Sequence, residues 1–400
     1  MTAEPSPSLP SPLDFGPVYG RCVDRFASVK TVFTENFASL GESGAAVAVW
    51  LDGLCVVVDL GGGLANHRTS AAWTDETLQL VFSTSKGLAA STVLSLWERG
   101  ELDIDAPVAD VWPEFAVGGK QQTSTRHVLS HQAGLAAFTD RLTPADCSVP
   151  GRAAERLGSQ TSEWAVGDGH GYHALSYGWL LGEIVQRALG RSLGTVWRER
   201  FAEPFGLDAW IGLPPSHEHR VSRLRQEPVP VLTGPDAGQQ RFVEALMTRG
   251  SLTRRVFTNP NQMGIFNDAA LHAAEWPAAN GITNARSLAS FYGLLATGQA
   301  LGAETVTAAR TSQSRGFDKV LQRENNFGLG FNLGSSGDAF FGRTGGRGFG
   351  HAGAGGSVGF GDPEMGLGFA YVMTQMHSNL SADPRRDRLI DAVYDSLERR

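Results

Sequence analysis

The sequence predicts an α/β protein of the α+β type, in which an antiparallel sheet is flanked by helices and carries an inserted, mostly helical domain. Two observations lead to this prediction. The chain has 400 residues, and this length exceeds that of a typical domain with a single hydrophobic core. Strand-like patterns occur near both ends of the chain, whereas the segments between them are rich in helix formers. We therefore expect a sheet domain from residues 14–75 and 285–400, a helical domain over 76–284, and a disordered, Pro/Ser-rich segment over 1–13.

The N-terminal part of the predicted sheet begins with a helix and a hairpin. Apolar residues recur at helical spacing from about Val18 to Phe37, which predicts a helix with one face on the core. The next segment, AAVAVWLDGLCVVVDLGG, contains two apolar runs joined by Asp52-Gly53. An Asp-Gly pair between apolar runs is a strong local signal for a β-hairpin.

The middle and the end of the chain differ in pattern. Residues from Ser83 to Arg99 are almost wholly apolar at helical spacing, which predicts a buried helix, and further helices are expected at 171–190 and 284–297. The span 215–270 has mixed polarity and indicates long loops. Gly-rich residues 345–361 lead into LGFAYVMTQM at 366–376, which predicts strands, and a charged helix at about 385–399 closes the chain.

Composition excludes several classes of protein. A formal net charge of −7 without a Lys/Arg cluster argues against a nucleic-acid partner. No run approaches the roughly 18 apolar residues that span a bilayer, so no membrane partner is expected. The first residues lack a signal-peptide pattern, which favours a cytoplasmic location. The 3 cysteines fit neither a disulfide framework nor a zinc site, and we expect no metal or organic cofactor. Nothing in the sequence specifies an oligomeric state.

The tetrapeptide Ser83-Thr84-Ser85-Lys86 at the start of the buried helix carries the main chemical signal. Residues three apart share a helix face, so the Lys86 amine can reach the Ser83 hydroxyl, whereas Ser85 points elsewhere. Helix N-terminal N–H groups favour a developing negative charge at Ser83. The alternative is a Ser that caps the helix and a solvated Lys. Because Lys86 is nearly the only charge before Glu98 on an apolar helix, we favour a nucleophile and its base.

The segment FSTSKGLAASTVLSLWERGELDIDAPVADVWPEF, followed by RHVLSHQAGL, resembles the serine β-lactamase and penicillin-binding-protein superfamily. It looks most like the class C β-lactamases and the carboxylesterases that share their fold. The S-x-x-K motif belongs to the nucleophile of that superfamily. The resemblance covers blocks at about 82–135, 171–195 and 345–376, and it implies a β-lactamase-like fold and a serine hydrolase.

The second block supplies a proton shuttle by resemblance. Relatives carry Tyr-x-Asn where this chain has Tyr172-His173-Ala174. Tyr172 matches the tyrosine that, together with the lysine, relays the proton of the nucleophile. Ala174 replaces the Asn that helps β-lactamases to hold the amide side chain of their substrates, and this loss points away from β-lactam hydrolysis.

The third block contains His351-Ala352-Gly353 where lactamases have Lys-Thr-Gly on a strand. The family's Lys helps to bind a substrate carboxylate, so a His at position 351 implies that the substrate does not need a carboxylate there. The resemblance implies that the backbone N–H groups of Ser83 and Ala354 form an oxyanion hole. The predicted substrate-binding residues are His351, Gly353, Ala174 and Trp276. Arg343-Thr344-Gly345 is a weaker rival for the same motif, because a Gly-rich turn follows it.

Three other patterns allow different functions. Gly355-Gly356-Ser357-Val358-Gly359 fits the G-x-S-x-G elbow of α/β-hydrolases, but its flanks are strand-like and Gly-rich. His127 and His131 share a predicted helix face without a third metal ligand, and are more typical of structural residues. His217-Glu218-His219 lies in a predicted loop and is a weak metal motif.

The sequence thus predicts a carboxylesterase that cleaves short-chain, small-molecule esters. Ser83 attacks the carbonyl, Lys86 and Tyr172 accept and return its proton, and water resolves the acyl-enzyme. The alternatives within the same fold are a β-lactamase, a D-amino-acid peptidase, an amidase or an acyltransferase. A non-catalytic binding module of the same fold is a further alternative.

Overall fold

An antiparallel sheet built from both ends of the chain organises the fold. The computed structural model describes residues 18–52, 55–225, 237–262, 264–334, 342–377 and 383–398. The predicted disorder of residues 1–13 and the predicted turn residue Gly53 lie outside these ranges. The strands are β1 (Tyr19–Cys22), β2 (Gly44–Leu51), β3 (Cys55–Asn66), β4 (Ala71–Ala72), β5 (Gln79–Leu80), β6 (Ala209–Trp210), β7 (Ile282–Thr283), β8 (Ser314–Phe317), β9 (Glu324–Phe327), β10 (Phe349–Ala352), β11 (Val358–Asp362) and β12 (Leu367–Met373).

The main sheet has the strand order β1-β3-β2-β12-β11-β10, with β4 paired to β3. The predicted hairpin is confirmed, because β2 and β3 pair antiparallel with Val47 opposite Leu60. The C-terminal strands are confirmed as well, and β12 joins them to the hairpin, with Ala370 opposite Ala48. The two ends of the chain therefore share one sheet, as the sequence predicts.

Helices cover both faces of this sheet and fill the middle of the chain. They are α1 (Ala27–Ser39), α2 (Ser85–Glu98), α3 (Thr125–Leu129), α4 (Pro144–Ser148), α5 (Arg152–Ser159), α6 (Ser176–Leu189), α7 (Leu193–Trp197), α8 (Ala237–Met247), α9 (Leu252–Thr258), α10 (Ala269–Ala273), α11 (Ala285–Ala296), α12 (Ala303–Ala309) and α13 (Pro384–Glu398). The helices expected near 171–190, 284–297 and 385–399 are thus confirmed as α6, α11 and α13.

Each face of the sheet has its own apolar cluster. Helices α1 and α13 cover one face, where Phe33 and Val393 are fully buried. Helix α11 covers the other face and belongs to a larger cluster that continues into the helical part of the chain. Gly368 of β12 allows α11 to lie close, because a Cβ there would sit 2.1 Å from the carbonyl oxygen of Ala289.

The buried helix predicted from Ser83 is α2, which starts at Ser85 and contacts α6 and α7. Its side chains from Ser85 to Leu96 are buried, as the apolar pattern indicates. A small sheet of order β5-β7-β6 lies immediately before it, and the Val81 N–H donates to the Gly281 carbonyl at 2.9 Å. This sheet and α2 together fix the turn that contains Ser83.

Two local predictions were wrong. The helix expected from Val18 starts only at Ala27, since Tyr19–Cys22 instead pairs with β3 at the sheet edge. The span 215–270 is not all loop within the described residues, because it contains α8, α9 and α10. Edge pairing and packing against distant segments overrode the local pattern in both places.

Among the described residues, no helix has the length and the apolar character that crossing a membrane would require.

Candidate active site

Ser83 lies in a tight turn between the small sheet and α2. Phe82 forms a bridge to Asn280 and has a φ of +48°, a left-handed conformation that is uncommon for a large side chain. The N–H groups of Ser85 and Lys86 donate to the carbonyls of Phe82 and Ser83 at 2.9 and 3.0 Å. Ser83 is partly exposed between buried neighbours. Its hydroxyl is therefore accessible at the N-terminal end of a helix, where the dipole favours negative charge.

The neighbouring hydroxyl of Ser85 has a structural use. It donates to the Phe82 carbonyl and accepts the Gly281 N–H at 2.7 Å. Ser85 is fully buried. Its hydroxyl thus links the turn to the small sheet, whereas Ser83 is partly exposed.

Lys86 is fully buried one helical turn after Ser83. Its Nζ donates to Ser83 Oγ at 3.3 Å and to the carbonyls of Ala174 and Ala278 at 2.7 and 3.1 Å. The Tyr172 ring lies 4.7 Å from the same nitrogen. Burial holds the pKa of Lys86 well below its ordinary value, because desolvation penalises the ammonium form. A neutral amine beside a hydroxyl is the arrangement that a general base requires.

Tyr172 is buried on the other side of the nucleophile, and its phenol is hydrogen-bonded to Ser83. Burial raises the pKa of Tyr172, and the hydrogen bond with Ser83 offsets part of that rise. The phenol therefore keeps its proton at neutral pH. The structure thus brings Ser83, Lys86 and Tyr172 together, with opposite pKa shifts on the two partners of the hydroxyl.

The backbone around Ala354 packs against the turn that holds Ser83. The Gly353 N–H donates to the Ser357 carbonyl at 2.7 Å, whereas neither the Ser83 nor the Ala354 N–H has an acceptor among the described residues. Gly353 must be glycine, because a Cβ there would lie 2.2 Å from the Val81 carbonyl oxygen. Two free N–H groups on adjacent turns are available to an oxyanion.

His351 is a strand residue at the end of β10, as the third motif predicts. Its Nδ1 lies 2.7 Å from the Ala352 carbonyl, so Nδ1 carries the proton and donates it. Its Nε2 is buried and has no hydrogen-bond partner among the described residues. Burial, and secondarily the charge of Lys86, lowers the pKa of His351 to about 3. A neutral imidazole accepts hydrogen bonds at Nε2, where lactamases present a cation.

The two remaining residues predicted to bind substrate occupy different positions. Ala174 is buried beside Tyr172, and its carbonyl accepts from Lys86 at 2.7 Å. Trp276 is buried in the helical part, where its ring lies 5.0 Å from that of Trp179 and its Nε1 donates to Ser148 Oγ at 3.2 Å. These contacts of the Trp276 side chain are with the helical core, and none is with Ser83.

The rival motifs have structural explanations. Ser357 is fully buried and donates to the Val81 carbonyl at 2.9 Å, and β11, not a helix, follows it. Arg343 belongs to a turn and forms ion pairs with α13, one of them to Asp391 at 3.5 Å. His127 completes the N-terminal cap of α3 with Ser124.

No metal centre is visible among the described residues, since no group of three or more His, Cys, Asp or Glu side chains could hold an ion there. The motif His217-Glu218-His219 is part of a 3₁₀ helix, and Glu218 pairs with His272 at 3.0 Å. The predicted loop at this position is thus a short helix.

A layer of buried residues that the sequence did not predict lies behind Tyr172. Asp318 Oδ1 accepts the Tyr172 N–H at 3.1 Å, and the His131 ring lies 5.0 Å from the Tyr172 ring. His131 Nδ1 also accepts the His173 N–H at 3.1 Å. The lack of a third metal ligand already indicated a structural role for His131, but no local pattern connects Asp318 with Tyr172.

Comparisons with known proteins identify the family of this chain. Residues 29–394 match the protein family described as Beta-lactamase. Esterase/beta-lactamase LipL of Mycobacterium tuberculosis is 33% identical over 372 residues, which is 91% of this chain and 84% of LipL.

Two solved structures share the whole fold. A family VIII carboxylesterase superposes with a TM-score of 0.86 at 34% identity, covering 95% of this chain and 100% of that one. A penicillin-binding-protein homologue from Caulobacter crescentus superposes with a TM-score of 0.85 at 38% identity, again covering 95% and 100%. The fold predicted from the motifs, with its antiparallel sheet and helical insertion, is therefore confirmed.

Proposed function

This chain belongs to the beta-lactamase family and is a serine hydrolase of the carboxylesterase type, and we propose that Ser83 is its nucleophile and short-chain esters are its substrates. One observation carries the proposal. The Ser83 hydroxyl contacts both the Lys86 amine, at 3.3 Å, and the phenol of Tyr172. A hydroxyl held between a buried amine and a buried phenol can lose its proton to the amine and accept a hydrogen bond from the phenol.

The opposite pKa shifts suggest the division of labour during acylation. Neutral Lys86 takes the Ser83 proton as Oγ attacks the ester carbonyl, and the N–H groups of Ser83 and Ala354 stabilise the oxyanion. Tyr172 gives its proton to the departing alkoxide and is reprotonated from the Lys86 ammonium. Water then attacks the acyl-enzyme, its proton passes to the pair, and Ser83 regains its hydrogen. Lys86 and Tyr172 titrate as a coupled unit, so these roles refer to the dominant protonation state of the pair, with a neutral amine and a protonated phenol.

The nucleophile is tested by two serine variants. Ser83→Ala should abolish turnover of p-nitrophenyl butyrate, whereas Ser357→Ala should retain most of it, because the Ser357 hydroxyl is buried on the Val81 carbonyl. Circular dichroism would confirm that both variants are folded. An inactive Ser357→Ala beside an active Ser83→Ala would overturn the proposal in favour of an α/β-hydrolase mechanism.

The substrate class follows from the two departures from lactamase motifs. Ala174 offers no amide to grip a β-lactam side chain, and neutral His351 offers no cation for its carboxylate. Each lost hydrogen bond to a charged group costs about 1.5–3 kcal/mol. We therefore expect kcat/KM for p-nitrophenyl butyrate to exceed that for nitrocefin by orders of magnitude.

β-Lactam hydrolysis is the second candidate, because the name of the relative LipL includes it. A larger kcat/KM for nitrocefin under identical conditions would favour this candidate and end the esterase proposal. The cytoplasmic location and the absence of nucleic-acid and membrane partners stay predictions from the sequence, which fractionation of expressing cells would check.

A further inference from the structure

A cavity of about 440 Å³ lies beside the turn that carries the nucleophile. Its apolar wall includes Phe82, Phe266 and Met376. Its polar wall carries four basic side chains, which are those of His67, Arg68, Arg223 and Arg225. None of its lining residues in the described part of the chain is acidic, although the chain as a whole has a net charge of −7.

The three arginines of this cavity lack partners among the residues that the structure describes. None of their guanidinium groups forms an ion pair or a hydrogen bond with a residue that the structure describes. Elsewhere in the described chain, arginines commonly pair with carboxylates, as Arg126 does with Asp105 and Arg255 with Glu163. Like charges gathered without counter-charges repel one another, so a bound anion would relieve this repulsion.

His67 lies close to the positive charges of all three arginines. Its Nδ1 is buried and has no hydrogen-bond partner among the described residues. Burial lowers the pKa of His67, and the charges of Arg225, Arg68 and Arg223 lower it further. His67 is thus neutral at pH 7 and surrounded by three permanent positive charges.

The cavity is next to the reacting groups, although Ser83 itself does not line it. Phe82 directly precedes Ser83, so their Cα atoms are about 3.8 Å apart. Met376 borders the other reactive turn, because a Cβ on Gly355 would lie 2.8 Å from Met376 Cγ. The Met376 N–H also donates to the Arg225 carbonyl at 2.8 Å. The cavity thus borders both turns that supply the candidate oxyanion donors.

We propose that this cavity binds the anionic end of the substrate, and that the enzyme selects esters carrying a carboxylate or similar group a few carbons from the scissile bond. This inference rests on the esterase function proposed above. The neutral His351 supplies no positive charge to a bound anion, whereas the arginines near Phe82 do.

The test compares matched charged and neutral esters. On the acyl side the pair is mono-p-nitrophenyl adipate and p-nitrophenyl hexanoate, and on the alcohol side it is 4-acetoxybenzoate and p-tolyl acetate. For each pair we take the ratio of kcat/KM for the anionic ester to kcat/KM for the neutral ester. In at least one pair this charged-to-neutral ratio should be higher for the wild type than for the variants. Arg223→Gln and Arg225→Gln should each lower that charged-to-neutral ratio about threefold to tenfold, since Arg223 is half-buried and Arg225 is exposed, and solvent screens both charges. The double variant should lower it further, and the preference should weaken at high salt.

Arg315→Gln is the matched control, because Arg315 is an exposed residue of β8 that does not line the cavity. It should leave both ratios at their wild-type values. If the neutral esters are turned over through Ser83 but the arginine variants leave the charged-to-neutral ratio unchanged in both pairs, this inference is overturned. The proposed function would remain intact.

If no ester is turned over, the proposed function fails and binding becomes the readout for the cavity. Isothermal titration of wild-type protein with adipate should then show binding that weakens in the Arg223→Gln/Arg225→Gln variant. Equal binding, or none, would overturn the inference in that case.

Discussion

At the scale of single residues, the fold strongly alters the chemistry of Lys86. A fully buried ammonium surrounded by carbonyls and aromatic rings loses its hydration, and its hydrogen bonds to Ala174 and Ala278 replace only part of it. The same isolation makes the amine available as a base. The sequence indicated this position, because one cation on an apolar helix is costly unless it has a role.

The lowered pKa of Lys86 predicts the pH dependence of the enzyme. Only the neutral amine can accept the Ser83 proton, so kcat/KM should be low in acid and rise as Lys86 deprotonates. Because burial lowers this pKa, the rise should be complete well below the ordinary lysine value of about 10.4. A pH profile of p-nitrophenyl butyrate hydrolysis measures it.

Variants of the pair provide the control for that profile. Lys86→Met and Tyr172→Phe should each remove most of the activity, and their losses should not multiply in the double variant, because the groups act as a unit. Full activity in either single variant, or a wild-type profile that falls between pH 6 and 9, would contradict the assignment.

At the scale of elements, the turn between β8 and β9 contacts the backbone of Tyr172, the candidate proton shuttle. Asp318 is fully buried in this turn, and its Oδ1 accepts the N–H groups of Tyr172, Val320 and Leu321 at 3.1, 2.8 and 2.8 Å. The carboxylate thereby fastens the backbone of Tyr172 to a ribbon far away in sequence. Asp318 does not touch the reacting atoms, and we assign it a positioning role.

Removing this acceptor should misplace the phenol. Asp318→Ala is expected to lower kcat by about tenfold to a hundredfold with little change in KM, since a small displacement of a catalytic group is costly. Asp318→Asn keeps one side-chain oxygen at the same position and should restore much of kcat. Steady-state kinetics on one ester gives both values. Equal losses of kcat in the two variants, or a loss confined to KM, would contradict a positioning role.

The elements also show where sequence reasoning succeeds. Helices α6, α11 and α13 and the β2–β3 hairpin were predictable, because their patterns are local and their burial follows the periodicity. The contact between Ser83 and Lys86 was predictable for the same reason, because the two residues are three apart. Tyr172 and the turn at Ala354 required the resemblance to a known family.

The rest depends on contacts between distant segments. Tyr19–Cys22 carries a helical pattern but pairs with β3 as an edge strand. Asp318 is 146 residues from Tyr172, and no local signal joins them. The cavity near Phe82 is lined by Arg68 and, from a segment much later in the chain, by Arg223 and Arg225, and no local pattern joins the two segments.

At the scale of the whole molecule, a buried ionic network connects the end of the chain with the site. Arg385, at the start of α13, pairs with Asp383 at 2.7 Å and with Glu42 at 3.4 Å. It also donates to the Gly355 carbonyl at 3.2 Å, next to the candidate oxyanion donor Ala354. Because breaking a buried pair leaves an uncompensated charge, this network keeps the reactive turn tied to the sheet and to α13.

Buried neutral histidines should limit the stability of the whole molecule in acid. Burial lowers the pKa of His173 to about 4 and that of His351 to about 3, and it also lowers the pKa of His131. In the unfolded chain these groups bind protons below their ordinary pKa of about 6.5. The unfolded state therefore gains protons first, and the free energy of unfolding falls as the pH drops from about 6.5 towards 4.

The expected slope is up to roughly 1.4 kcal/mol per pH unit for each such histidine. The raised pKa values of Glu42 and Glu275 act in the opposite direction, so variants are needed to isolate the histidine share. Urea unfolding of the wild type, His173→Gln and His351→Gln between pH 7.5 and 4.5 measures it. The slope should flatten in both variants, because each removes one group that the unfolded chain protonates. His219→Gln, at an exposed position, should keep the wild-type slope. If His173→Gln and His351→Gln lose stability in acid as steeply as the wild type, these imidazoles are already protonated in the folded state. The claim that His351 is neutral, on which the expected ester specificity depends, would then be wrong as well.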